Sequence, residues 1–259
     1  MDLGLRGQTA VVTGASKGIG LAIVRAFVGE GVYVVAGARS SSDELAQLAA
    51  TGSVHIVETD LTETAGPARL IAAVGDRIDI LVNNVGGAPV RLGGFLNVTD
   101  EDWTATLALN LLAAVRTTHS ALPLMLQQGH GVIVNISSVN STFADPLVID
   151  YSAAKAALSA FSKALSKELG PKGIRVNTIS PGPVATDLWL GQQGVAATVG
   201  SATGTAPEEI AKNAVSGTAT GRFSQPSEVA DAVLMLAGAH ASNISGADLR
   251  IDGGFIPTW

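Results

Sequence analysis

Thr9-Ala10-Val11-Val12-Thr13-Gly14-Ala15-Ser16-Lys17-Gly18-Ile19-Gly20 is the stretch that decides the fold. Its first five residues are apolar or β-branched and carry no charge, as a buried strand requires. Gly14, Gly18 and Gly20 follow, and then an amphipathic run over Ile19–Val28. A strand that must reverse into a helix needs glycine to turn sharply and to let a ligand approach its backbone. The N-terminus of the following helix attracts anions, so this turn reads as a cradle for a pyrophosphate. The glycine gaps are three residues and then one, which departs from the general G-x-G-x-x-G spacing.

Outward from this turn the pattern repeats. Thr9–Thr13, Val32–Ala36, Val54–Val57, Ile78–Val82, Val132–Ile136, Val176–Ile179 and Ala247–Ile251 read as seven buried strands. Helical periodicity fills Ile19–Val28, Ala68–Val74, Trp103–Leu126, Tyr151–Leu169 and Ser227–Ala237. Strand and helix in alternation predict an α/β fold: one doubly wound Rossmann-type domain over residues 1–259. It would hold a seven-stranded parallel sheet with helices on both faces. The segment from Asp187 to Arg222 breaks the rhythm. It is rich in Gly, Ala, Thr and Gln, with weak periodicity, and is expected to be a substrate lid.

Composition narrows the classes. Of 259 residues 47% are hydrophobic and only 15% charged, and so little charge points to a surface covered by a second copy, as a homodimer or homotetramer. The net charge of -6 leaves no basic stripe, so nucleic acid is not expected as a partner. There are no cysteines, which excludes disulfides and thiolate metal sites and fits a reducing compartment. An early acid, Asp2, and the absence of an 18-residue apolar run point away from a signal peptide and a membrane span, so the expected place is the cytoplasm. His55, His119, His130 and His240 are scattered, and no metal is expected.

A second group of residues carries chemistry. Tyr151 and Lys155 are spaced i, i+4 and share a helix face, and Ser138 follows the fifth strand. Strand ends at that edge of a doubly wound sheet face the ligand crevice. A phenol with a pKa near ~10 needs help to exchange a proton near neutrality, and a neighbouring ammonium favours its phenolate. Tyr151 can therefore pass a proton to an oxygen that Ser138 orients. Ser137 alternates to the opposite side and reads as structural.

These motifs together resemble the short-chain dehydrogenase/reductase family nearly end to end. Thr13-Gly14-x-x-x-Gly18-Ile19-Gly20 matches its glycine turn, and Asn83-Asn84-Val85-Gly86 its N-N-A-G segment, with Val for Ala. Pro181-Gly182 with Thr186 matches its P-G-x-x-x-T segment. The resemblance implies a catalytic set of Asn110, Ser138, Tyr151 and Lys155, with Asn110 holding a relay water and Lys155 also holding the nicotinamide ribose. It implies cofactor contacts at Gly14, Ser16, Lys17, Gly18, Ile19, Gly20, Arg39, Ser40, Asp60, Leu61, Asn84, Val85, Gly86, Tyr151, Lys155, Pro181, Gly182, Val184 and Thr186. Asp60 would meet the adenine or cap the next helix, and Thr186 the carboxamide. Asp252-Gly253-Gly254 resembles the family's C-terminal turn and reads as structural.

The cofactor follows from the end of the second strand. An acid there would hold the ribose hydroxyls of NAD. Ala38 stands in that place, followed by Arg39, and Lys17 lies in the glycine turn. Two cations and no acid suit the 2′-phosphate of NADP(H). The nearest overall resemblance is to bacterial 3-oxoacyl-carrier-protein reductases. Gln127-Gln128-Gly129-His130 lacks the arginine expected for docking an acidic carrier, while Lys172 keeps the second positive charge. The expected function is NADP-dependent hydride transfer between nicotinamide and a small ketone or secondary alcohol. The alternatives are a fatty-acid or polyketide carrier-protein reductase and a non-catalytic NADP sensor. Trp189, with Leu188 and Leu190, would wall the substrate or pack in the core.

Overall fold

The computed structural model describes residues 2–258. In chain order the elements are β1 (Thr9–Thr13), α1 (Gly18–Gly29), β2 (Tyr33–Ala38), α2 (Asp43–Ala50), β3 (Val54–Glu58), α3 (Gly66–Ala72) and β4 (Ile80–Asn83). Then come α4 (Asp100–Leu107), α5 (Ala113–Gln128), β5 (Gly131–Ile136), α6 (Ile149–Leu169) and β6 (Ile174–Pro181). Last are α7 (Asp187–Leu190), α8 (Val195–Thr203), α9 (Pro207–Ser216), α10 (Pro226–Ala237) and β7 (Asp248–Ile251). The seven strands form one parallel sheet in the order β3-β2-β1-β4-β5-β6-β7. This is the doubly wound α/β architecture expected from the sequence. The chain reverses its winding between β1 and β4, and a crevice opens at the carboxyl ends of those strands.

Two cores sandwich the sheet. On one face α1 and α10 pack together, with Leu21, Ile23, Val24, Phe27, Val229, Val233 and Leu236 buried against the strands. On the other, α3, α5 and α6 bury Leu70, Ile71, Ala121, Met125 and Leu169. Burying a side chain such as Phe27 contributes roughly 1.5–3 kcal/mol, so these two layers supply most of the force that holds the strand ends in register.

Three local differences from the sequence reading have physical causes. β2 runs on to Ala38, because Gly37 and Ala38 stay paired with Val57 and Glu58 of β3. α2 was not anticipated, although Ser42 accepts from the Leu45 amide and Asp43 and Glu44 occupy its first turn. The long helix expected over Trp103–Leu126 begins at a capping box of Thr99 and Asp102 and is interrupted by a π-turn over Ala108–Leu112.

Candidate active site

The glycine turn is built by close approach. Gly14 and Gly18 have positive φ, and a Cβ on Gly20 would stand 2.1 Å from the Gly14 carbonyl oxygen. The Thr13 hydroxyl accepts from the amides of Asn84 (2.8 Å) and Val85 (3.1 Å). Asn84 Nδ2 donates to the carbonyls of Thr13 (2.9 Å) and Gly14 (3.2 Å). The Asn83–Gly86 segment therefore braces the turn, and Asn84 spends its side-chain donors on that task. Lys17 precedes α1 in extended backbone, no side chain caps the helix, and no acid stands in its first turn. The uncapped amide end of α1 fits an anionic group such as a pyrophosphate. Ser16 and Ile19 are half-buried beside it.

At the end of the sixth strand, Pro181 closes β6, and the Gly182 amide donates to the Ile251 carbonyl at 3.0 Å. Val184 is buried and bridges to Ser224, so both ends of the 187–222 segment are pinned to one place. Thr186 lies against Gly18, with its methyl 3.3 Å from where a Cβ on that glycine would stand. Its hydroxyl donates to the Val184 carbonyl at 3.4 Å.

Tyr151 and Lys155 stand on the first turns of α6, with the Lys155 ammonium 5.7 Å from the phenol ring centre. Lys155 is 3% exposed and donates to the Ile136 carbonyl at the end of β5, at 2.8 Å. Ser138 is buried just beyond β5, where its hydroxyl donates to Asn140 Oδ1 at 3.4 Å and accepts from the Asn140 amide at 3.2 Å, and it lies close enough to the Tyr151 phenol to act on its pKa. Ser137 points the other way, to the Lys155 carbonyl and the Ser159 hydroxyl, and fastens α6 to the sheet. Asn110 sits in the π-turn and is 1% exposed. Its Nδ2 donates to the carbonyls of Gly87 (2.9 Å) and Thr106 (3.1 Å), and its Oδ1 accepts from the Gly87 amide (3.0 Å). One Oδ1 lone pair remains for a water. A Cβ on Gly86 would come within 2.8 Å of that oxygen and 3.4 Å of the Lys155 nitrogen.

The electrostatics differ from expectation. Burial pushes the Tyr151 phenol up from its ordinary value, and the Ser138 hydroxyl only partly offsets this. Burial also pulls Lys155 down to about 8. Desolvation is the larger effect on the phenol, so it is held in its proton-carrying form.

The two cations near the ends of β1 and β2 separate. Lys17 leans 3.7 Å from Asp187, at the start of α7, rather than toward Arg39. Arg39 is exposed and close enough to Asp60 to help lower its pKa, although the Thr62 amide and hydroxyl do most of that. Asp60 Oδ1 accepts from both Thr62 groups, at 2.8 and 2.7 Å, closing a turn ahead of α3 rather than capping it, since α3 starts at Gly66. Leu61 points into the core, leaving only its backbone for a ligand, and Ser40 is exposed.

Sequence reasoning missed Arg91 and Asp150, which meet beside Tyr151 from positions far apart in the chain. It also missed the π-turn that carries Asn110. Trp189 packs edge-to-face on Phe223, with ring centres 5.8 Å apart, which ties the start of the 187–222 segment to the residue just past its end. Among the described residues no group of His, Asp and Glu is placed to hold a metal, and no helix is long and apolar enough to cross a membrane.

A doubly wound sheet, an uncapped glycine turn at its switch point and a Ser-Tyr-Lys cluster at the adjacent strand ends define a dinucleotide-dependent oxidoreductase fold. Residues 14–256 match a family model described as enoyl-(acyl carrier protein) reductase. D-threitol dehydrogenase of Mycolicibacterium smegmatis is 37% identical, over 98% of this chain and 95% of its own. The 3-oxoacyl-[acyl-carrier-protein] reductase of Thermotoga maritima is 33% identical, over 97% and 99%. The L-sorbose reductase of Gluconobacter frateurii, solved with NADPH and L-sorbose, superposes with a TM-score of 0.91 at 31% identity, covering all of both chains. The chain belongs to the short-chain dehydrogenase/reductase family.

Proposed function

We propose that this protein is an NADPH-dependent ketoreductase for small, unconjugated ketones, acting also on the corresponding secondary alcohols. One observation carries the reading: Ser138, Tyr151 and Lys155 converge at the strand ends next to a glycine turn whose helix end no side chain caps. NADPH, when bound, supplies a hydride to the carbonyl carbon. Ser138 orients the carbonyl oxygen, and Tyr151 delivers the proton to it as negative charge develops there. Lys155 fixes the face of α6 against β5 and holds the nicotinamide ribose. Asn110 keeps Gly86 and Gly87 in place and lends an acceptor to a relay water. A phenol kept protonated by burial supports the reductive direction near neutral pH.

Two observations favour a free, largely apolar ketone. Leu188 and Leu190 on α7 are half exposed, as are Phe143 and Leu147 beyond Ser138. The 187–222 segment then acts as a lid: α7, α8 and α9 close over the substrate and open on the Val184–Ser224 pin. The carrier-protein reading is weakened because Gln128 is tied to both backbone groups of Ile78, and Lys172 pairs with Glu168 at 3.6 Å. The relatives' substrates, a tetritol and a ketohexose among them, keep sugars in the test. Leu112, at the end of the π-turn, and Leu126, on α5, lie exposed, which supports self-association through that side into a homodimer or homotetramer. The absence of cysteine fits a cytoplasmic setting.

The test is NADPH oxidation followed at its absorbance, with decalones, cyclic ketones, acetoacetyl thioesters, steroids and ketoses. Tyr151→Phe should lose nearly all turnover while its NADPH affinity stays within about threefold, since the phenol acts on the reacting oxygen rather than on cofactor binding. No oxidation with any carbonyl would instead favour a nucleotide sensor.

A further inference from the structure

Asp150 immediately precedes Tyr151, and its side chain is fully buried. A carboxylate in that state requires partners. It has three, all on Oδ2: Arg91 Nη2 at 2.5 Å, Arg91 Nε at 3.1 Å and the Thr106 hydroxyl at 2.7 Å. Oδ1 is buried with no hydrogen-bond partner among the described residues. Burial pushes the carboxyl up, but Arg91 and Thr106 more than reverse this, so Asp150 stays ionised. Arg91 also donates to Asp102 in the capping box of α4 at 2.7 Å, and its backbone amide donates to the Leu147 carbonyl, also at 2.7 Å. One guanidinium thus joins the loop after β4, the start of α4 and the entry to α6. Lysine could not do this, since it has no planar fork of donors.

A buried ion pair is seldom retained for stability, because a well-packed apolar pair of similar volume would serve as well or better. This one sits on the first turn of the helix that carries Tyr151. Resting on the reading of Tyr151 as proton donor, we propose that Arg91 and Asp150 are positioning residues. They lock the first turn of α6 so that the Tyr151 phenol meets Ser138 and the substrate oxygen in reactive geometry. Neither touches the substrate. Their effect falls on kcat, because a displacement of about an ångström at the proton donor costs up to a hundredfold in rate.

The test compares the wild type with Asp150→Asn, Arg91→Met and the double variant, using the panel ketone that the wild type reduces fastest. Arg91→Met strands the buried Asp150 carboxylate and Asp150→Asn leaves Arg91 with Asp102 as its one acidic partner, so each single variant should lower both Tm and kcat, the latter by about tenfold or more. NADPH affinity should stay within about threefold in all variants, as the glycine turn is untouched. The double variant removes both charges, so its Tm should return toward the wild type while kcat stays low. If kcat recovers together with Tm, or if the single variants keep wild-type kcat, the pair is merely structural and the proposal fails. Tyr151→Phe, run alongside, separates this failure from failure of the catalytic reading: retained turnover there would overturn Tyr151 itself.

Discussion

The Lys155 ammonium is buried against the Ile136 carbonyl, to which it donates at 2.8 Å, with no carboxylate within ion-pair distance among the described residues. It is a charge placed for chemistry at a cost to the fold. Its pKa falls from 10.5 unfolded to about 8 folded, so the unfolded chain binds the proton more tightly. The penalty is fully present below about pH 8, where both states are charged. It fades as pH rises from 8 toward 10.5, where the folded state alone has released the proton. Lys155→Met should therefore abolish turnover and raise stability at pH 7, by on the order of 2 kcal/mol after loss of the hydrogen bond to Ile136. The gain should shrink above pH 8. Denaturant unfolding at pH 7 and pH 9.5 checks this, and equal stability of the two proteins at pH 7 would contradict it.

Thr13 holds the glycine turn through one hydroxyl. Thr13→Val keeps the shape but leaves the amides of Asn84 and Val85 without an acceptor. The cost should be about 2–3 kcal/mol in unfolding free energy, the desolvation penalty of stranded donors. NADPH affinity should drop as well, because the turn loses its brace. Thr13→Ser should behave like the wild type in both measurements.

Arg39 and Lys17 do not act as an equal pair. Lys17 is engaged by Asp187, whereas Arg39 has no carboxylate within ion-pair distance among the described residues. Arg39→Ser should therefore reduce kcat/KM for NADPH by about 10- to 100-fold, the worth of a charge-assisted hydrogen bond, and leave that for NADH unchanged. Lys17→Ser should do less. Comparable efficiency of the wild type with both cofactors would remove the basis for this expectation.

The sheet was legible because its signals are local. Runs such as Val132–Ile136 carry their burial in their own composition, and the Thr9–Gly20 stretch contains both the strand and the reason it turns. Ser138, Tyr151 and Lys155 were legible from spacing, since one strand end and one helix turn bring them together. Arg91 and Asp150 were not, because they lie 59 residues apart and meet only through the path of two loops. α8 escaped notice for another reason. α8 is built of Val, Ala, Thr, Gly and Ser, and a helix with so little contrast between its faces shows no period. α2 could have been found from Ser42 followed by Asp43 and Glu44.

The π-turn at Ala108–Leu112 sets the rotational phase of everything after it. A single extra residue in a turn swings the following helix by about 100° relative to an unbroken α-helix. Only with that offset do Ala113, Thr117, Ala121 and Met125 form the buried stripe of α5 while Asn110 reaches back to Gly87. Deleting one residue here would regularise the helix and turn its apolar stripe toward solvent. Over Asp100–Gln128 this enzyme family member is thus bound to its length as tightly as to its residue types, and changes in loop length must be absorbed elsewhere in the chain.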